Sequence, residues 1–206
     1  EEIGGWGTKR EIDGVDFVFM DAGGTEAPAE FMFYLPGKNA LCTAEVATAT
    51  FHNVLTPRGA KVRDALKWSR VIDRALADYG GEADLVFASH HWPTWGQENV
   101  QQFLTHQRDI YRYVHDQTLR RANAGATMTE AAETIPEPGF SQEDFSTRDY
   151  YGTLNHNSKA VYQFYYGWWS GVPADYHALP RAETASRYVE AMGGLDAIMD
   201  RGVPAF

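Results

Sequence analysis

Three apolar runs crowd between Val15 and Ala44, and the gaps between them are too short to hold a crossover helix. Val15–Asp21 (VDFVFMD), Phe31–Leu35 (FMFYL) and Ala40–Ala44 (ALCTA) each have the length and β-branched or aromatic content of a strand. Breakers separate them: Ala22-Gly23-Gly24-Thr25 after the first and Pro36-Gly37 after the second. Strands joined this closely must run antiparallel, so the sequence predicts a meander.

From Ala60 the period changes. Val62, Leu66, Val71, Ile72, Leu76 and Tyr79 recur at helical spacing, and Gly80-Gly81 closes the run. Asp84–Ala88 then reads as a buried strand, so a βαβ crossover adjoins the meander. The intervening stretch Thr43–Arg58, rich in threonine and broken by Pro57, suits neither regular element and is read as a functional or connecting loop. A long amphipathic helix is expected over Asn99–Ala122. Thr127-Met128-Thr129-Glu130 is a capping box for a short helix stopped by Pro136 and Pro138. Glu137–Arg148 reads as a polar loop, and Ala182–Met192 as a final helix closed by Gly193-Gly194. No strand is expected after Gly96, which places a boundary there between an α/β part, residues 1–96, and an all-helical part, residues 97–206.

With 206 residues the chain can bury a substantial core. Its 18 basic and 28 acidic side chains leave a formal charge of −10, with no basic patch, which argues against nucleic acid as a partner. No window approaches the roughly 20 apolar residues of a membrane span. The single cysteine, Cys42, lies in an apolar run and is read as a buried hydrophobe. The opening EEIGGWGTKR has neither the basic nor the apolar region of a signal peptide, and further sequence is expected before Glu1. The compartment stays open, the periplasm and secretion included.

Glu26, Glu45 and His90 each fall just past a strand-like run, an arrangement that brings them to one edge of a sheet. Two carboxylates and an imidazole suit zinc, iron or manganese, and a carboxylate can bridge two ions. The competing reading is ordinary: solvated loop carboxylates, one histidine of the His90-His91 pair in the core and the other a helix cap.

DAGGTEAPAE, ALCTAEV, FHNVLTPRGAKVRDALKW and VFASHHWPTWG, followed by RDIYRYVHDQTLRRANAG, RDYYGTLNHNSKAVYQFYYGW and RYVEAMGG, resemble the alkyl sulfatases of the metallo-β-lactamase fold along nearly the whole chain. The resemblance implies an α/β fold: the second half of a metallo-β-lactamase-like αββα sandwich followed by an all-α dimerisation region. It implies two zinc ions, with Glu26 matching a ligand of the first, Glu45 the bridging carboxylate and His90 a ligand of the second. It also implies an alkyl sulfate substrate and a homodimer. The family's His-x-His-x-Asp-His motif is not among this chain's seven histidines, so the remaining ligands are expected in sequence preceding Glu1. The chain is read as an internal fragment, and the alternative to an enzyme is an inactive helical dimerisation module.

A sulfate ester is a compact anion suited to a guanidinium fork and to amide donors. Asn53-Val54-Leu55-Thr56-Pro57-Arg58 offers both, and in the family this loop grips the sulfate. Asn53 and Arg58 are therefore expected to act on the ester. Arg63, placed on the first turns of the next helix, and Tyr162 are further candidates, with a surface salt bridge as the other reading of either arginine. His91 is expected to turn away from the metal, and His156 either approaches the pocket or caps a helix. The aromatic run Tyr162–Trp169 lines an alkyl channel or, as favoured here, a dimer interface.

Overall fold

The computed structural model describes residues 3–202. It is mixed α/β, with a six-stranded sheet in the order β1-β2-β3-β4-β5-β6. The strands are β1 (Thr8–Ile12), β2 (Val15–Asp21), β3 (Phe31–Leu35), β4 (Ala40–Cys42), β5 (Leu85–Phe87) and β6 (Thr94–Trp95). Neighbours pair antiparallel except β4 and β5, which are parallel across the helix α1 (Ala65–Tyr79). The meander and its crossover are thus as expected. The sequence reading omitted β1, which joins β2 through a two-residue turn with positive φ at Asp13 (51°) and Gly14 (75°). That is the Asp-Gly turn chemistry that matches the twist of a hairpin.

Helix α1 starts five residues later than its apolar period suggested. Asp64 is extended and its carboxylate accepts from Lys67 N at 2.9 Å, the N-cap geometry that satisfies an orphan helix donor. Residues Ala65, Trp68, Ser69, Ile72 and Ala75 form its buried stripe. Together with Val18, Met20, Met32, Tyr34, Leu41 and Val86 from one face of the sheet, and Val100, Leu104, Ile110, Tyr111 and Val114 from α2 (Gln97–Asn123), they make a single core. Packing therefore runs without interruption across residue 96. The other face of the sheet carries a phenylalanine ladder, in which Phe33 has its ring centroid 5.3 Å from Phe17, 6.1 Å from Phe19 and 6.1 Å from Phe87.

The capping box forms as read: Thr127 and Glu130 exchange hydrogen bonds at the start of α3 (Met128–Thr134). The stretch expected as a plain loop contains a short helix, α4 (Gly139–Glu143), and a 3-10 turn, Phe145–Thr147. Thr153 caps α5 (Leu154–Tyr166) by accepting from His156 N at 3.0 Å. Residues up to Trp168 form one compact unit. From Trp169 a second unit follows, with α6 (Pro173–Tyr176), α7 (Arg181–Ala191) and α8 (Leu195–Gly202). α7 is thus not the last helix; Gly193 and Gly194, at φ 92° and 95°, turn the chain into α8. Among the described residues of this unit none is buried. No helix among the described residues is long and apolar enough to cross a membrane.

Candidate metal and anion site

The site is built on the carboxyl ends of β2, β4 and β5, which point the same way because β3 runs antiparallel between β2 and β4 and because β4 and β5 are parallel. In the parallel pair, Ala40 faces Leu85, Leu41 faces Val86 and Cys42 faces Phe87. Continuing this register beyond the strands pairs Glu45 with His90, and His90 Nε2 lies 2.5 Å from Glu45 Oε1. Backbone bonds carry the alignment past the strand ends, Thr43 N donating to Phe87 O and Ser89 N to Ala44 O, each at 2.9 Å. Ala44 and His91 sit at φ 48° and 67°. Left-handed backbone is costly for residues with a Cβ and is held there by its surroundings.

Glu26 comes from the β2–β3 loop, which Ala22 and Glu30 close through an N–H to carbonyl bond of 3.0 Å. Carboxylate oxygens of Glu26, Glu30 and Glu45 lie within 4.8 Å of one another. Burial raises the pKa of Glu26 above the usual carboxylate value, against the attraction of Arg63 and with the repulsion of Glu45. Glu30 is raised too, first by burial and then by its acidic neighbours, against the hydrogen bond from Glu45 N. Three clustered acids with two held against ionisation are a donor set that a divalent cation would relieve. The sequence reading passed over Glu30, whose signal was its return of the loop to β3 beside Glu26.

The loop after Glu45 is tied down almost atom by atom. His52 N donates to the Tyr111 hydroxyl at 3.2 Å, His52 O accepts from Asn157 Nδ2 at 3.0 Å, and Val54 N donates to Asn157 Oδ1 at 2.8 Å. Val54 O accepts from Arg63 N at 3.0 Å, and Leu55 O is 2.6 Å from His156 Nε2. His156 thus braces the loop, while Thr153 does the capping. Gly152 N donates to Phe51 O at 2.7 Å, and a Cβ on Gly152 would lie 2.7 Å from the His52 carbonyl. Backbone polar groups of a buried loop need partners, and here side chains of α2 and α5 supply them together with the backbone N–H groups of Arg63 and Gly152.

Within this loop Asn53, Val54 and Thr56 are buried, Leu55 is half-buried, and the turn at Pro57-Arg58 is exposed. Arg58 makes no hydrogen bond or ion pair among the described residues, yet its charge is felt at Glu26. Arg63 is not on the helix, because Asp64 caps it. Its guanidinium is nearly buried and engaged: Nε donates to Glu26 O at 2.5 Å, Nη2 pairs with Glu26 Oε1, and Nη1 donates to Asn53 O at 2.7 Å and Asn53 Oδ1 at 2.8 Å. Tyr162 stands apart from this group, its hydroxyl donating to Ala126 O at 3.3 Å.

A cleft of about 630 Å³ opens over the site, lined by Glu45, Thr48, Thr50, His52, His90, His91, Tyr150 and Tyr151. His91, expected to turn away, therefore lines the cleft beside His90, its left-handed backbone keeping it on that side. The buried hydroxyls of Thr48 and Thr50 find no partner in the protein. His52 is 5 % exposed, and burial lowers its pKa to about 4 with help from Arg63, although the Asn53 carbonyl, 2.9 Å from Nδ1, opposes the shift. It is a neutral imidazole at pH 7.

Residues 127–206 match the family model for alkyl sulfatase dimerisation. The chain is 49 % identical over 195 residues to a linear primary-alkylsulfatase from Pseudomonas sp., and 46 % identical over 198 residues to the alkyl/aryl-sulfatase BDS1 of Saccharomyces cerevisiae. Those alignments take in 95 % and 96 % of this chain but 29 % and 31 % of the relatives. The solved structure of the stereoselective inverting sec-alkylsulfatase Pisa1 from Pseudomonas sp. superimposes with a TM-score of 0.92 at 41 % identity, over 96 % of this chain and 31 % of that one. The chain thus spans about three tenths of the length of these relatives, and over almost the whole of its own length it is similar to alkyl sulfatases.

Proposed function

We propose that this chain supplies one side of the catalytic centre of a zinc-dependent alkyl sulfatase, which in its complete polypeptide hydrolyses alkyl sulfate esters to alcohol and inorganic sulfate. The observation that carries the reading is the convergence of Glu26, Glu45 and His90 at one sheet edge, beside an anion-competent loop, in a chain 49 % identical to a linear primary-alkylsulfatase. Glu26, Glu45 and His90 would hold zinc, with Glu45 as the shared carboxylate and Glu30 adding negative charge alongside. Bound zinc supplies Lewis acidity and a water that loses its proton near neutral pH.

The protein's own part is binding and orientation. Asn53 and the exposed Arg58 act on the sulfate group, the guanidinium presenting a planar fork to two ester oxygens. Val54, Leu55 and Thr56 seat that loop against the core and leave its turn at Pro57-Arg58 exposed. Fixed donors aimed at the charge that develops around the sulfate group are usually the largest single contribution to such catalysis. Arg58→Lys in the complete enzyme keeps the charge and loses the fork, so catalytic efficiency should fall about ten- to a hundredfold with zinc content unchanged. Dodecyl sulfate turnover and inhibition by free sulfate, both equal to the parent's, would remove the loop from this role.

In fold terms, residues 1–96 are the second half of an αββα sandwich and residues 97–206 its helical dimerisation region. The phenylalanine ladder supports this, since an apolar sheet face opposite the helix-covered one suits a second sheet. A homodimer is the partner reading. The unit from Trp169 exposes Trp169, Tyr176, Leu179, Tyr188, Leu195 and Met199 and buries none of its described residues, which is unstable in so short a segment without a partner. The same observation favours a second reading, an inactive dimerisation module. Stoichiometric zinc with sulfate release from dodecyl sulfate selects the enzyme; a metal-free, inert dimer selects the module.

A further inference from the structure

We infer that Arg63 is a positioning residue that fixes the Glu26 carboxylate and the Asn53 side chain at once, coupling the metal-binding edge to the anion-binding loop. The inference rests on the functional reading above, and it deepens that reading by giving the two halves of the site a mechanical link. Its basis is the engagement of one rigid, planar group in two directions. On one side Arg63 holds both the backbone carbonyl and the carboxylate of Glu26; on the other it holds the backbone carbonyl and the amide oxygen of Asn53.

The clamp is itself immobilised. The Arg63 side chain is 10 % exposed and that of Glu26 12 % exposed. The guanidinium carbon lies 5.9 Å from the Trp68 ring centroid, and Trp68 is fully buried with its Nε1 donating to Val46 O at 2.6 Å. Arg63 N adds a third tether through Val54 O. With Asn53 Oδ1 accepting from Arg63, the amide is oriented so that its Nδ2, the only donor of the side chain, is directed away from the guanidinium. That is the end a sulfate oxygen requires. With Glu26 Oε1 committed to Arg63, the carboxylate cannot rotate freely about its last torsion. A lysine offers charge without the fork and cannot reach both partners in one geometry.

The test is Arg63→Lys, read three ways. Hydrogen exchange on the full 206-residue chain should show residues 22–30 and 52–57 losing protection together, with the strands and α2 unaffected. Groups that orient metal ligands typically contribute ten- to a hundredfold in affinity, so the zinc and sulfate dissociation constants of the complete enzyme should both rise by about that factor. In the parent, sulfate should tighten zinc binding, and in Arg63→Lys that coupling should vanish. Faster exchange with unchanged zinc and sulfate affinities would reduce Arg63 to a structural residue and overturn the inference, as would loss of protection in one segment alone. Should Arg63→Lys not fold, Asn53→Ala replaces it: exchange must then rise in residues 22–30, across the guanidinium, and no rise overturns the clamp. A parent that binds no zinc and releases no sulfate defeats the functional reading, while the exchange result still judges the clamp separately.

Discussion

Asn157 is where the anion loop is most open to attack from a distance. Its side chain is fully buried in α5, accepting from Val54 N at 2.8 Å and donating to His52 O at 3.0 Å. Asn157→Ala removes both partners and leaves an amide and a carbonyl stranded away from water. Each stranded group costs about 1 to 3 kcal/mol, so the variant should lose roughly 2 to 6 kcal/mol. Asn157→Asp separates the two bonds. The carboxylate still accepts from Val54 but faces the His52 carbonyl with no proton, and an ionised acid buried without a cation binds one instead. Its pKa is therefore raised in the folded state, so the stability it contributes is present at low pH and lost as pH rises through that value. Urea unfolding followed by far-ultraviolet circular dichroism, with each variant compared to the parent at pH 5 and pH 8, measures both effects. An Asn157→Ala protein within about 1 kcal/mol of the parent, or an Asn157→Asp deficit that is no larger at pH 8 than at pH 5, would refute the claim that this side chain holds the loop.

Gly152→Ala should displace the same loop, because the added methyl meets the His52 carbonyl at 2.7 Å; overpacking of this kind costs about 1 to 3 kcal/mol, and the urea midpoint reports it. His52, with its pKa lowered from 6.5 to about 4, binds a proton more readily unfolded than folded, so its contribution is intact above pH 6.5 and is lost as pH falls towards 4. The integrated loss is on the order of 3 kcal/mol, and His52→Gln should flatten the unfolding free energy over that window relative to the parent; an unchanged slope would contradict a buried neutral imidazole. If the proposed zinc site is right, Glu45→Gln in the complete polypeptide should lower zinc content more than Glu26→Gln does, as inductively coupled plasma analysis after dialysis would show.

The sheet edge was legible because Glu26, Glu45 and His90 each fall just past a strand-like run, the first of them behind a Gly-Gly breaker. The capping box at Thr127 and Glu130 was equally plain, being a local exchange of hydrogen bonds. The hairpin at Asp13-Gly14 was also written locally, in a dipeptide whose twist suits β1 and β2, but the exposed, charged strand before it carries no apolar alternation. What local pattern could not convey is which polar side chains are spent inside the protein. Arg63 and Arg58 are both arginines beside one loop, yet one is buried on Glu26 and the other exposed. The difference arises from Asp64, whose capping carboxylate delays the helix and turns Arg63 inward. Asn157 and His52 were equally hidden, since their roles depend on contacts more than a hundred positions apart in the first case and on burial in the second.

The parallel register of β4 and β5 gives the Glu45–His90 pair an address that is independent of the length of α1. Glu45 and His90 meet because their strands are aligned, so α1 and its flanking turns can lengthen or shorten in a descendant without moving either residue. A slip of one position in that alignment, with every side chain retained, would set His90 beside Ala44 or Val46 and dissolve the pair. The pairing of Glu45 with His90 therefore depends on Leu41, Val86 and their neighbours in the core, which hold the two strands in register, as much as on the two side chains themselves.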